Sequence, residues 1–299
     1  MSVTMSDAMQ NGASADDSSL PVVVYSPESP LAHPGKLVKE IFSDMWRCRE
    51  LTWILFTRDL KAQYRQSYFG YLWLFMPVIT TTVIWMFLDS TKAIQVAATP
   101  IPYPAYVMLG TMIWGVFTSA LNQPLGSFQS GSGIFMKLKV PPEAFILAGM
   151  SKILFETLIR MLVLIPVFIV LKMVPASTCW LFPIGLMGAG LIGAAIGFLM
   201  IPLGSLYSDV GRIVGMAVGF GMYITPVVYP PPETGWAALI IQWNPITAVV
   251  MASRDWLTLG PSPYAIPFAV TTLLSLGLLF MGIVIFRVVL PHLIERMGM

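Results

Sequence analysis

The chain carries little charge: Asp, Glu, Lys and Arg make up only 11% of its 299 residues, whereas hydrophobic residues make up 56%. A soluble domain has about 25% charged residues, so an ordinary soluble protein is excluded. The formal net charge of +2 at pH 7 is not the basic surplus that nucleic-acid binding requires. Because several apolar segments approach the ~20 residues that cross ~30 Å of hydrocarbon, the sequence predicts an all-α membrane protein.

Cysteine and histidine are equally scarce, with two of each. Cys48 and Cys179 lie far apart, and His33 and His292 are isolated near the chain ends, so neither a disulfide nor a metal site is predicted. The chain also lacks the G-x-x-x-x-G-K-[ST] loop that cradles nucleotide phosphates. We therefore predict a protein that is not an enzyme, with no catalytic residue, metal or cofactor of its own. A role driven by ATP would need a separate ATPase.

The N-terminal part is polar. Residues 1–35 are rich in acidic and small residues and have no basic segment followed by an apolar one, so they are predicted to be a disordered cytoplasmic tail and not a signal peptide. Residues 36–68 are predicted to form an amphipathic helix on the membrane surface. Its apolar face would consist of Trp53, Phe56, Leu60 and Tyr64. The neighbouring basic face would consist of Arg58, Lys61 and Arg65. The alternative is a basic flank that only orients the first span.

Residues 69–299 are predicted to form a six-span transmembrane domain. The spans are expected at about residues 70–90, 103–123, 146–171, 180–204, 212–228 and 266–290. A loop rich in Gly, Ser and Pro is predicted from Pro124 to Gly133. Prolines divide Val228–Pro263 into two pieces that are too short to cross, Trp236–Gln242 and Pro245–Leu259. These pieces are predicted to be re-entrant or interfacial helices.

Lys and Arg are distributed unequally between the two sides of this predicted topology. Thirteen of the seventeen lie on the side that holds both termini, whereas Lys92, Lys172 and Arg254 lie on the other side and Arg160 lies inside the third span. Cytoplasmic segments are enriched in Lys and Arg. Both termini are therefore predicted to be cytoplasmic, and Val228–Pro263 is predicted to face outward.

Several short motifs follow one another along residues 45–299. They are Asp59–Trp73 (DLKAQYRQSYFGYLW), Lys137–Pro141 (KLKVP), Leu206–Val210 (LYSDV), Thr225–Pro230 (TPVVYP), and Asn244-Pro245 followed by Arg254. In type and order they resemble the landmarks of ABC-2 type permeases that export bacterial polysaccharides, a group that covers O-antigen, capsule and teichoic-acid exporters. The chain departs from this family at Gln63, where an arginine is usual.

The resemblance implies a permease of the bacterial inner membrane that moves a lipid-linked polysaccharide. It implies a homodimer of this chain among membrane lipids, with two copies of an ATP-binding subunit that hold ATP and Mg, and with no nucleic acid. Two alternatives stay open: an ABC-2 permease for a smaller amphiphile such as a lipid or a drug, and a membrane-embedded transferase.

Two groups of residues are candidates for function. The interface that couples the permease to its ATPase is predicted in the amphipathic helix and the first cytoplasmic loop, at Arg58, Asp59, Lys61, Arg65, Phe135, Lys137, Lys139, Pro141 and Glu143. The translocation pathway is predicted at intramembrane charges and at aromatic rings that could stack on sugars, namely Trp85, Trp114, Glu156, Arg160, Tyr223, Tyr229 and Trp243. Tyr229 and Trp243 are expected to close its outer end.

Each pathway group has a structural alternative. Lys152, Glu156 and Arg160 fall at four-residue steps and share one helix face, so Glu156 and Arg160 could instead form an ion pair that only stabilises the fold. The aromatic residues could instead form membrane-interface belts or pack in the core.

Overall fold

The computed structural model describes residues 43, 45–65, 68–91, 98–135, 140–232 and 234–297. The predicted tail of residues 1–35 lies outside these ranges, as does the start of the segment 36–68. Over the described residues the chain is helical, with no β-strand. The α-helices with described bounds are α1 (Arg49–Tyr64), α2 (Met76–Ser90), α3 (Tyr103–Phe135), α4 (Glu143–Val170), α5 (Phe182–Leu206), α6 (Asp209–Ile224), α7 (Trp236–Trp243), α8 (Pro245–Thr258) and α9 (Ala265–Met297). Two short 3-10 helices, Gly70–Leu74 and Cys179–Leu181, precede α2 and α5.

Four helices in the described part of the chain are long and apolar enough to cross a membrane. They are Tyr103–Ile134, Glu143–Val170, Cys179–Leu206 and Ala265–Arg296. A fifth span results if α7 and α8 are counted together. Helices α2 and α6, at the predicted first and fifth spans, have 15 and 16 residues, fewer than the ~20 that cross a bilayer without help. The all-helical fold is confirmed, and the count of six spans stays a prediction.

The loop predicted from Pro124 to Gly133 is wrong, because α3 continues as one helix through this stretch. Gly131 serves close packing, whereas Gly126 and Gly133 have open space around them, and the stretch does not form a turn. A Cβ added at Gly131 would lie 2.7 Å from the ring of Phe145, so only glycine leaves room for that ring. Pro124 is buried inside the helix and packs against α5 at Gly197.

Helices α3 and α5 form the centre of the bundle. Of the spanning window of α3, 72% is buried, compared with 24% for α4 and 17% for α9. Gly193 and Gly197 of α5 lie against the backbone of α3, where an added Cβ would overlap carbonyl oxygens of Phe117 and Leu121. This is the small-xxx-small contact that lets membrane helices approach closely.

Helix α1 packs against α4. Leu55 and Phe56 are buried, and the Phe56 ring meets the Phe155 ring edge to face at 6.0 Å. Of the predicted apolar face, Phe56 therefore contacts the protein, whereas Trp53 is exposed. The membrane-surface position of α1 stays a prediction.

Candidate functional site

Helices α7 and α8 form one broken helix pair, bent by 81° at Asn244. The Asn244 side chain accepts a hydrogen bond from the backbone N–H of Ile246 (3.1 Å) and so caps α8. Pro245 occupies the first helical position, where an N–H has no helical partner. Two short helices are present where the prolines predict them, and Asn-Pro accounts for the break between them. Their re-entrant or interfacial position stays a prediction.

The break is tied to the turn that follows α6. Asn244 Nδ2 donates a hydrogen bond to the Thr225 hydroxyl (2.9 Å), and that hydroxyl donates to the carbonyl of Gly221 in α6 (2.9 Å). Thr225 is fully buried. The motif that begins at Thr225 and the Asn-Pro motif are therefore parts of one structural unit.

Arg254 of α8 reaches the same turn and is only 1% exposed. Its guanidinium donates hydrogen bonds to the carbonyl oxygens of Val227 (2.8 Å) and Pro226 (3.3 Å), and its Cζ lies 3.6 Å from the centre of the Tyr106 ring. In the described part of the chain no carboxylate forms an ion pair with Arg254. Carbonyl dipoles, an aromatic face and the charge of the neighbouring buried Asp255 therefore stabilise this buried charge.

Helix α3 completes this arrangement. The Tyr106 hydroxyl donates a hydrogen bond to the carbonyl of Tyr229 (3.1 Å). A Cβ added at Gly110 would overlap both the Val227 carbonyl and the Arg254 guanidinium, so glycine is needed where they cross α3. We refer to Tyr106, Thr225–Val227, Asn244 and Arg254 as the arginine clasp. It joins α3, the turn after α6 and α8.

The second polar group within the bundle is the pair predicted on α4. Arg160 Nη2 lies 3.7 Å from Glu156 Oε2, and both side chains are largely buried. Arg160 also lies beside α3, since a Cβ added at Gly115 would come 3.1 Å from its Nη1. Helix α3 thus carries a glycine at each point where a buried arginine meets it.

The predicted pathway aromatics occupy different environments. Trp114 is buried against Phe117, with ring centres 5.1 Å apart, and Trp85 packs partly buried on the same core. The Tyr229 hydroxyl donates to the carbonyl of Tyr223 (2.8 Å), so these two residues are brought together. Tyr223 and Trp243 are 64% and 84% exposed as residues.

Only some of the residues predicted to couple to an ATPase lie in the described part of the chain. Arg58 and Asp59 form an exposed ion pair at 2.8 Å, and Lys61 and Arg65 are exposed. Pro141 is exposed and Glu143 begins α4. Lys137, Lys139 and the side chain of Phe135 lie outside the described residues.

Sequence reasoning assigns no functional role to Tyr106 or Arg254. The signal for Arg254 was available: in a chain so poor in charge, an arginine in an apolar segment needs buried partners. Tyr106 had no such signal, because nothing local distinguishes it from the other aromatics of α3.

Long apolar helices and polar groups buried around a broken helix pair define a polytopic helical membrane protein. Residues 50–257 match the family described as ABC-2 type transporter, and the chain belongs to that family. This confirms the resemblance that the short motifs indicate.

Named relatives cover most of the chain. The O-antigen export system permease protein RfbA of Klebsiella pneumoniae is 26% identical over 225 residues, which are 72% of this chain and 83% of the relative. The polysialic acid transport protein KpsM of Escherichia coli is 22% identical over 247 residues, 78% and 91% of the two chains. An RfbA protein of Myxococcus xanthus is 22% identical over 260 residues, 84% and 95% of the two chains.

Proposed function

We propose that this chain is the permease subunit of an ABC exporter that moves a lipid-linked polysaccharide of the O-antigen or capsule type across the bacterial inner membrane. The observation that carries the proposal is the extent of the similarity. Relatives named for O-antigen export and polysialic acid transport align over 83% to 95% of their own length. The similarity therefore extends over most of this chain, 72% to 84% of it, and not over a single motif.

The experiment that tests this function is deletion of the gene in its host, with complementation by the wild-type chain. Deletion should remove the surface glycan and cause the lipid-linked glycan to accumulate inside the cell. The tagged chain should co-purify with an ATP-binding subunit. An unchanged surface glycan after deletion would contradict the proposed substrate, and export by the purified chain alone would contradict the dependence on a partner.

In the proposed topology, α2 and α6 complete six spans and both termini are cytoplasmic. The support is the excess of Lys and Arg on the side of the termini. Thr234→Cys, in a background in which Cys48 and Cys179 are replaced, should react with an impermeant maleimide added outside the inner membrane. Reaction from the cytoplasmic side alone would overturn the topology.

A second copy of this chain would complete the pathway, and α6 offers a surface for it. Gly211, Gly215 and Gly219 recur every four residues, and a Cβ added at any of them would meet nothing within 4 Å. None of the residues of α6 is buried. Because such spacing allows close approach of two membrane helices, we expect Gly215→Leu to weaken the dimer. Gly277→Leu on α9, where the space is equally open, is the matched control.

The ATPase would bind the cytoplasmic side in two copies and would hold ATP and Mg. The exposed charges of α1 are suited to transmit its motion, since α1 packs directly on the long helix α4. Reversal of Arg58 and Lys61 to Glu should lower stimulated ATPase activity or export while insertion stays normal, because the exposed Arg58–Asp59 pair contributes only ~0–1 kcal/mol. Arg212→Glu is the control. Normal export by the double variant would leave these charges with a role only in lipid contact.

We further propose that the segment from Val228 to Pro263, the outer closure, seals the external end of the pathway and that Tyr229 and Trp243 contact the glycan. Broken helices at membrane depth are tolerated where they are buried in protein or line a wet cavity. Alanine at both positions should impair export, or let small solutes leak, with folding preserved. Trp180→Ala removes another exposed tryptophan and is the control. Normal export with a tight resting state would favour an inert cap.

A further inference from the structure

Arg254 is the most thoroughly buried large side chain at the broken helix pair, and its position is costly to maintain. A buried cation needs partners for its charge and for its N–H groups. Its hydrogen bonds to oxygen go to the backbone of the turn, at Pro226 and Val227, and a weaker one goes to Met251 Sδ on its own helix (3.6 Å). Its Nε is buried without a hydrogen-bond partner among the described residues. A side chain that only stabilised α8 would not need to cross to another segment.

The turn depends on Arg254 in return. Helix α6 ends at Ile224, and the backbone at Thr225 is already extended, so the carbonyls of Pro226 and Val227 do not take part in that helix. Both residues are buried. A buried carbonyl without a donor is strongly unfavourable, and Arg254 supplies donors to both.

The two halves of the broken pair differ in burial. Ten of the fourteen residues of α8 are buried, whereas Ile241 is the buried residue of α7. Helix α8 is also held elsewhere: the Thr178 hydroxyl donates to the Trp256 carbonyl (2.8 Å), and the Trp256 ring meets the Phe268 ring at 4.8 Å. Arg254 therefore connects the turn to the half that is anchored on the rest of the bundle.

We propose that Arg254 is the positioning residue of the outer closure. Through the carbonyls of Pro226 and Val227 and the ring of Tyr106, it holds the turn that carries Tyr229 against helix α8, which is itself packed into the bundle. The idle transporter stays sealed because this turn cannot separate from α3 and α8. The inference rests on the proposed outer closure and adds the residue that holds the turn carrying Tyr229 in place.

The test uses the purified full-length chain in liposomes without ATPase or glycan, with leak of a small trapped dye as the readout. Arg254→Met removes the charge and the donors while keeping an unbranched side chain. We expect its leak to rise at least about tenfold, the scale on which hydrogen bonds to a charged group count. Arg254→Lys keeps the charge and some donors but not the planar contact with Tyr106, so it should leak more than the wild type and less than Arg254→Met. Arg212→Met, at an exposed arginine of α6, should stay tight.

Two further measurements separate positioning from general stability. Amount in the membrane and elution profile should be similar for wild type and Arg254→Lys, so its leak does not reflect loss of fold. Tyr106→Leu should leak like Arg254→Met, and the double variant should leak no more than either, since both changes release the same turn. If Arg254→Met does not fold, the leak of Arg254→Lys and of Tyr106→Leu still tests the proposal.

A tight resting state in Arg254→Lys and Tyr106→Leu would overturn the proposal, and so would leak that only follows loss of folded protein. This assay contains no glycan, so its failure leaves the proposed export function intact. Failure of the deletion and complementation experiment would instead remove that function without changing the leak.

Discussion

Substitution of Gly193 by alanine tests the close crossing of α3 and α5 at the centre of the bundle. The added Cβ would overlap the Phe117 carbonyl and come 3.0 Å from Ala120 Cβ and Leu121 N. Two of these contacts are backbone atoms, so no change of rotamer can relieve them and the two helices must separate. Overpacking of this kind costs about 1–3 kcal/mol. Because α3 and α5 share the most extensive interface between helices, the variant should be clearly less stable than the wild type.

The same helix supplies a matched control. A Cβ at Gly190 would meet the Val116 side chain at 3.7 Å, which is ordinary van der Waals contact. Purified variants should be heated in steps, and the fraction that elutes as folded protein on size exclusion measured. Gly193→Ala should melt lower by roughly 2–4 °C for each kcal/mol. Gly190→Ala should melt no lower than the wild type, because alanine also favours the helix. Equal melting temperatures for the two alanine variants would refute the crossing geometry.

The other predictions concern polar groups within the bundle. Asn244→Ala should lower stability by at least ~1 kcal/mol, because both the cap of α8 and the hydrogen bond to Thr225 are lost. Asn244→Asp keeps the cap but not the donor, so in thermal melts its stability should lie between those of the wild type and Asn244→Ala. Glu156→Gln should destabilise by leaving Arg160 beside a neutral partner. The double variant with Arg160→Met should recover part of that loss in the same melt, and a double variant worse than Glu156→Gln would argue against a mutual pair.

Much of the fold follows from apolar segments and prolines, and the errors arise where tertiary packing decides. The predicted third, fourth and sixth spans correspond to α4, α5 and α9, because long apolar runs have few alternatives to a helix. The pieces on either side of Asn244 were also predictable, since Asn caps and Pro starts a helix. The stretch after Pro124 was not. Its glycines and serines are typical of loops when read locally, but the stretch is helical, and Gly131 is required where α3 meets Phe145.

The candidate site shows a similar division. The spacing of Glu156 and Arg160 predicts a pair on one face, and the structure has that pair. The arginine clasp could not be predicted, because Tyr106 lies more than a hundred residues before the other members and yet its ring contacts the Arg254 guanidinium. Pattern and spacing report neighbours on one helix, whereas this contact depends on how α3 and α8 are packed.

Two glycine stripes show why sequence alone cannot assign such features. Gly193 and Gly197 of α5, and Gly215 and Gly219 of α6, have the same four-residue spacing. The first stripe is filled by the backbone of α3, so it serves the fold of the single chain. The second has open space around it, on a helix with no buried residue. Lipid chains place no demand for glycine on a helix surface, whereas a second helix does. The stripe on α6 is therefore where we expect the proposed second copy of this chain to pack, and the arginine clasp lies at the turn that follows this helix.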